Sequence, residues 1–260
     1  NDPKGYPEVL WKQMGEAGLI GALIPEAYGG GGLSILDAAL IYEELGRAMA
    51  PIPHFVSGVI SAGLLLHAGT EEQKQEWLPK IASGDSILTP AWLEPDHGYG
   101  LAGVQLDAKE SGDELVLSGT KMSVNYAGAA ERLIVLARNG TGVDLLLVDP
   151  NAKGITLTHY LSQSGDPHYR VEFEKVVVPT SARIGAAGSG WESFNKVMHE
   201  GIILLAAQAI GGSARCLEET VEYSKVRIQF DKPLGAFQAL AHYMADASTR
   251  IDGGRVLVHE

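Results

Sequence analysis

Ser86-Ile87-Leu88-Thr89-Pro90-Ala91-Trp92-Leu93 is the stretch where the apolar pattern of this 260-residue chain changes period. Upstream, from residue 3 to 83, the pattern is helical. Val9, Leu10 and Met14 recur at helical spacing within 6–17. A Pro/Gly-rich loop at 25–32 follows, because four consecutive glycines cannot hold a helix. Ser34 then reads as an N-cap with Asp37 at the third helical position and Leu36, Leu40 and Leu45 beyond it. An apolar helix is expected over 55–67. Thr70 opens a capping box with Gln73, and that helix stops near Gly84.

Downstream of Ser86 the signal is short β-prone runs: 87–93, 115–117, 133–137, 145–148, 155–158 and 169–178. Ser111-Gly112-Asp113 and Asn139-Gly140-Thr141-Gly142 read as hairpin turns. Several such strands in succession predict an antiparallel sandwich or barrel. Helical pattern returns at Trp191. Phe194, Val197, Met198, Leu204 and Leu205 make one apolar face, a second helix is expected over 213–226, and a third begins near Ala236 after the Pro233-Leu234-Gly235 break. The expectation is an α+β chain: an N-terminal helical domain (1–85), a central antiparallel β-barrel-like domain (86–188) and an incomplete C-terminal helical bundle (189–260).

Composition narrows the function. With 45% hydrophobic and 20% charged residues the chain is an ordinary folded protein. A net charge of −12 argues against nucleic acid, whose phosphates need a Lys/Arg surplus. The apolar stretches 55–69 and 202–212 fall short of the roughly 20 residues a membrane span needs. No charged-then-apolar leader opens the chain, and Cys216 is its single cysteine, so the cytoplasm is the expected compartment. His97, His159, His168, His199 and His242 have no metal-ligand spacing.

Several segments, in order, resemble the acyl-CoA dehydrogenase family. They are Ile24-Pro25-Glu26-Ala27-Tyr28-Gly29-Gly30, Glu43-Glu44-Leu45-Gly46, Gly69-Thr70-Glu71-Glu72-Gln73-Lys74, Glu94-Pro95, Leu117-Ser118-Gly119-Thr120-Lys121, Gly188-Ser189-Gly190-Trp191, Arg227-Ile228-Gln229-Phe230-Asp231-Lys232-Pro233 and Phe237-Gln238. The resemblance implies an FAD-dependent enzyme that removes two hydrogens across the α,β carbons of an acyl-CoA. It also implies an oligomer and an electron-transfer acceptor. Measured against that family, the chain is expected to lack the very first helix and the last two bundle helices. The usual base would lie beyond Glu260.

Some relatives carry the base on the first long C-terminal helix. That position falls at Gly201, with Glu200 just before it. Glu200 is therefore a candidate base; the other reading is a solvated residue or one paired with Lys196. The resemblance places Arg227, Gln229 and Phe230 in a turn that reaches a neighbouring subunit's flavin. It assigns Trp92, Leu93, Ser123 and Asn125 to the chain's own flavin. There the sequence departs from the family: Leu93 stands for a threonine, while Ser123, Val124 and Asn125 stand where the family has an aromatic and then a Ser/Thr. Two explanations follow. Either flavin binds through substitute contacts, or the chain is a non-catalytic partner subunit that contributes to a neighbour's FAD site.

Overall fold

The computed structural model describes residues 4–140 and 142–260; Thr141, in the expected 139–142 turn, lies outside them. The elements in order are α1 (Glu8–Glu16), α2 (Ile35–Ala48), a π-helical stretch (Phe55–Ser61) continuing as α3 (Ala62–Ala68), α4 (Glu71–Ser83), β1 (Leu88–Ala91), β2 (Asp107–Ser111), β3 (Glu114–Asn125), β4 (Arg132–Asn139), β5 (Gly142–Val148), β6 (Ile155–Leu161), β7 (Pro167–Pro179), β8 (Arg183–Ile184), α5 (Gly190–Val226), β9 (Ile228–Gln229), β10 (Lys232–Pro233) and α6 (Gln238–His259). The chain divides into two compact units. One runs up to Leu33 and from Pro51 to His199; the other joins Ser34–Ala50 to Glu200–Glu260.

In the first unit α1 buries Trp11 and Met14, and the Trp11 indole donates to the Gly84 carbonyl at 2.9 Å. Val9 lies across the helix from Trp11 and is exposed. The Thr70–Gln73 capping box closes in both directions at the start of α4. His54 is buried, with Nε2 3.1 Å from the Leu19 carbonyl oxygen.

Burial holds the His54 imidazole below its ordinary pKa. The native state therefore binds that proton more weakly than the unfolded chain. The stability involved is present above the ordinary imidazole value, about 6.5, and is lost as pH falls through the lowered native one. Urea titrations at about pH 7 and about pH 5 are expected to show a smaller acid loss in His54→Gln than in wild type. Equal losses would remove His54 from the account.

Among the described residues eight strands form one sheet in the order β6-β7-β3-β2-β4-β5-β8, with β1 paired to β4. The sheet is mixed, not purely antiparallel as expected. β1 runs parallel to β4 from Leu88↔Arg132 to Ala91↔Val135, and β2 meets the same strand in parallel at Asp107↔Arg138. No ladder joins β6 to β8 among the described residues, so the sheet is not a closed barrel. The direction in which β1 pairs β4 has no local signal, and β2 is a charged, mostly exposed run with no apolar alternation. Its hairpin to β3 does turn at Gly112-Asp113, with Ser111 opposite Glu114. Pro90 is tolerated inside β1 because that strand pairs on one side only.

In the second unit α2 begins at a closed Ser34/Asp37 capping box. It buries Ala38, Ala39, Tyr42 and Gly46, whereas Leu36 and Leu40 are exposed. Small residues let α2 approach α5 closely. A Cβ at Gly46 would collide with the Gln208 carbonyl oxygen, and one at Gly211 with the Glu43 carbonyl oxygen. The two helices expected over this region are one 37-residue helix, α5. Gly211-Gly212 does not end it, because at Gly211 the absent side chain admits the neighbouring backbone. Leu205, expected on the apolar face, is 38% exposed. By length and composition alone α5 could cross a membrane. Its Phe194, Val197, Leu204 and Ala207 are instead buried inside the protein.

Candidate functional site

β4 explains where a site can form in the first unit. One of its edges is served by β1 as far as Val135 and by β2 at Arg138. Between the two, residues 92–106 leave the sheet, so the backbone at Trp92 and Leu93 has no ladder to satisfy it. β3 passes alongside and is irregular there. Its register with β7 shifts between Lys121 and Val124, and Ser123 sits in the left-handed region at φ 53°. Bulges of this kind re-aim side chains and are common beside functional sites.

Lys121 and Glu94 hold the gap together. Their side chains are 0% and 5% exposed, and Nζ lies 2.6 Å from Oε1. Glu94 Oε1 also accepts from the backbone amides of Gln105 and Leu106, both at 2.9 Å. Lys121 Nζ donates in addition to the Trp92 carbonyl at 3.3 Å, and the Met122 amide donates to the Leu93 carbonyl at 2.8 Å. Burial pulls the Lys121 ammonium down to about 8, against the opposing pull of Glu94. A trans peptide points its C=O and N–H in opposite directions. The N–H groups of Leu93 and Glu94 therefore turn away from Lys121 and Met122, and neither has an acceptor among the described residues.

The structure brings Trp92, Leu93, Ser123 and Asn125 into this one region. Trp92 is half-buried, with ring centroids 5.3 Å from Phe194 and 6.2 Å from Tyr99. Ser123 Oγ and the Tyr160 hydroxyl lie 2.8 Å apart. The Asn125 side-chain amide lies 3.3 Å from His168 Nε2, and the Asn125 carbonyl accepts from Thr89. The ring of His168 is 5.9 Å from that of Tyr160, and its Nδ1 is buried with no hydrogen-bond partner among the described residues.

The sequence reading missed Tyr160, His168 and the role of Lys121. Strand alternation could have found Lys121, which shares parity with buried Leu115 and Leu117. Tyr160 and His168 reach the site through cross-strand register, which carries no local signal.

Arg227, Gln229 and Phe230 lie in the second unit. They belong to a β9–β10 hairpin whose two turn residues, Phe230 and Asp231, have φ of 53° and 62°. Such a turn favours Asn-Gly; two larger residues there hold the backbone under strain. Phe230 is 84% exposed and meets Phe237 only edge-on, at 6.2 Å. Lys232 Nζ sits 4.5 Å over the Phe237 ring.

Glu200 is exposed on α5, and Lys196 Nζ lies 3.4 Å from His67 Nδ1 rather than in an ion pair with Glu200. The buried stripe runs through Val197, Gly201 and Leu204, and Glu200 falls at its edge. A base for a weakly acidic α-proton needs a dry surrounding, which this position does not supply within the chain. A groove of about 900 Å3 in the second unit, lined partly by Met49, Cys216, Tyr243 and Ile251, contains none of the predicted site residues.

Three family profiles match in order: the acyl-CoA dehydrogenase N-terminal domain over residues 2–85, the middle domain over 90–176 and the C-terminal domain over 188–260. A probable acyl-CoA dehydrogenase of Bacillus subtilis (strain 168) is 33% identical over 97% of this chain and 70% of its own length. The chain belongs to the acyl-CoA dehydrogenase family.

Solved acyl-CoA dehydrogenases share its fold. The butyryl-CoA dehydrogenase of Megasphaera elsdenii superposes with a TM-score of 0.91 at 30% identity, over 99% of this chain and 71% of that one. A glutaryl-CoA dehydrogenase of Mycobacterium smegmatis, in complex with FADH2, gives 0.92 at 28% identity, over 98% and 67%. This acyl-CoA dehydrogenase chain is accordingly a flavoprotein oxidoreductase with FAD as its cofactor. The comparisons support dehydrogenation and give no support to the non-catalytic alternative.

The donor set fits FAD. The edge of a flavin ring offers carbonyl oxygens and ring nitrogens that accept hydrogen bonds. Among the described residues, the site has two backbone N–H groups without acceptors and an imidazole nitrogen of His168 without a partner. Leu93 has no side-chain donor, so the only donor it has is its backbone amide.

Proposed function

We propose that this chain dehydrogenates an acyl-CoA thioester across its α,β carbons as a subunit of an oligomer, homomeric or heteromeric. FAD supplies the hydride acceptor. Trp92, Leu93, Ser123 and Asn125 face the chain's own flavin, and Arg227, Gln229 and Phe230 serve the flavin of a neighbouring subunit. An electron-transfer acceptor and a cytoplasmic setting belong to the same proposal, as does a division into segments 1–85, 86–188 and 189–260.

The observation that carries the reading is the exposed hairpin. A strained two-residue turn presents Phe230 to solvent beside an arginine able to bind a pyrophosphate in bidentate fashion, which supports a role toward a ligand. Arg227→Ala is expected to weaken FAD retention in the assembled oligomer roughly 10-fold or more, while unfolding shifts by under about 0.5 kcal/mol. Flavin absorbance after gel filtration, set beside a denaturation curve, makes the measurement. Unchanged occupancy would remove the hairpin from the flavin site.

A further inference from the structure

The buried Lys121–Glu94 pair is not explained by stability. A buried ion pair seldom outperforms well-packed apolar side chains of similar size, because the cost of desolvating both charges offsets their attraction. Three features of this pair suggest another use. It sits where β1 gives way to β2 along β4. Its carboxylate pins the Gln105 and Leu106 amides at the far end of the 92–106 excursion. Its ammonium holds the Trp92 carbonyl at the near end.

We propose that Lys121, held by Glu94, is a positioning residue for the flavin site: by fixing the Trp92 carbonyl it orients the Leu93 amide as a donor toward the flavin ring. The proposal rests on the assignment of Leu93 to the chain's own flavin. A methionine at 121 would fill the same space and could not do this, because it has no N–H to offer. The Met122 amide, which grips the next carbonyl, belongs to the same bulged segment of β3. Lys121 and Met122 thus set the planes of two consecutive peptides, and the Leu93 and Glu94 amides leave on the side facing away from them.

The test uses the double variant Lys121→Met/Glu94→Gln. It removes both charges together and leaves the glutamine oxygen to accept from Gln105 and Leu106. The expected result is a protein that unfolds within a few degrees of wild type but binds FAD roughly 10- to 100-fold more weakly. Its visible flavin band should also be shifted. A purely structural pair would move the unfolding temperature and leave the folded protein's affinity alone. Wild-type affinity and an unshifted spectrum in the folded double variant overturn the proposal.

If the double variant does not fold, backbone hydrogen exchange on the wild-type protein decides. FAD must then slow exchange at the Leu93 amide, and unchanged exchange on flavin binding overturns the proposal. Wild-type protein that takes up no FAD at all overturns the flavin assignment and the proposal with it.

Discussion

Lys121→Met alone is expected to cost about 3–5 kcal/mol of unfolding free energy, a large part of the stability of an ordinary domain. The reason is asymmetry. The substitution leaves the Glu94 carboxylate in a site where it is 5% exposed, with two backbone amides but no opposing charge. Water cannot take the place of the lost ammonium without opening the 92–106 segment. The loss should be recovered in large part when Glu94→Gln is added, since the amide carries no charge to strand. That non-additivity is the signature of a coupled buried pair. Denaturant curves for the wild type, both single variants and the double variant close the cycle. A Lys121→Met penalty under about 1 kcal/mol would mean that solvent reaches the site.

Gly211→Ala is expected to destabilise the second unit by about 3 kcal/mol, although alanine gains up to about 1 kcal/mol over glycine in a helix interior. The added methyl collides with the Glu43 carbonyl oxygen, and a backbone atom of α2 cannot rotate out of the way. The adjacent glycine supplies the control. A methyl at Gly212 would meet the Gly46 carbonyl oxygen at 3.4 Å, an ordinary contact, so Gly212→Ala should be neutral or stabilise by up to about 1 kcal/mol. Thermal melts of the two variants decide between close packing and mere helix propensity. Similar shifts for both would refute the account of why α5 runs unbroken through two glycines.

That pair of glycines marks one limit of what sequence alone conveys. The Gly-Gly dipeptide reads locally as a break, and only the backbone of α2 reveals what the missing side chains admit. The opposite happened at Thr70 and Gln73, where both hydrogen bonds of the capping box formed as their spacing predicts. Capping is decided within four residues, whereas helix continuity at Gly211 is decided by a partner more than 160 positions away.

The same division runs through the site. The order of helices, strands and helices was legible in the apolar period, and family membership in short motifs that keep their order. Each of these is a local property. The mixed sheet was not legible, because the parallel pairing of β1 and β2 with β4 is made by backbones distant in the chain, and β2 shows no alternation of its own. Ser123 and Asn125 were found as positions, but their partners Tyr160 and His168 arrive from β6 and β7 by register. Lys121 was visible as a motif letter. Its burial, its ion pair and its hold on the Trp92 carbonyl exist only once β3 lies beside the point where β1 leaves the sheet. Sequence determined what kind of protein this is, since propensity, capping and motif spacing act over a few residues. Tertiary structure decided which groups are buried, paired or left with an unused donor, since solvent exclusion and cross-strand register are set by residues distant in the chain.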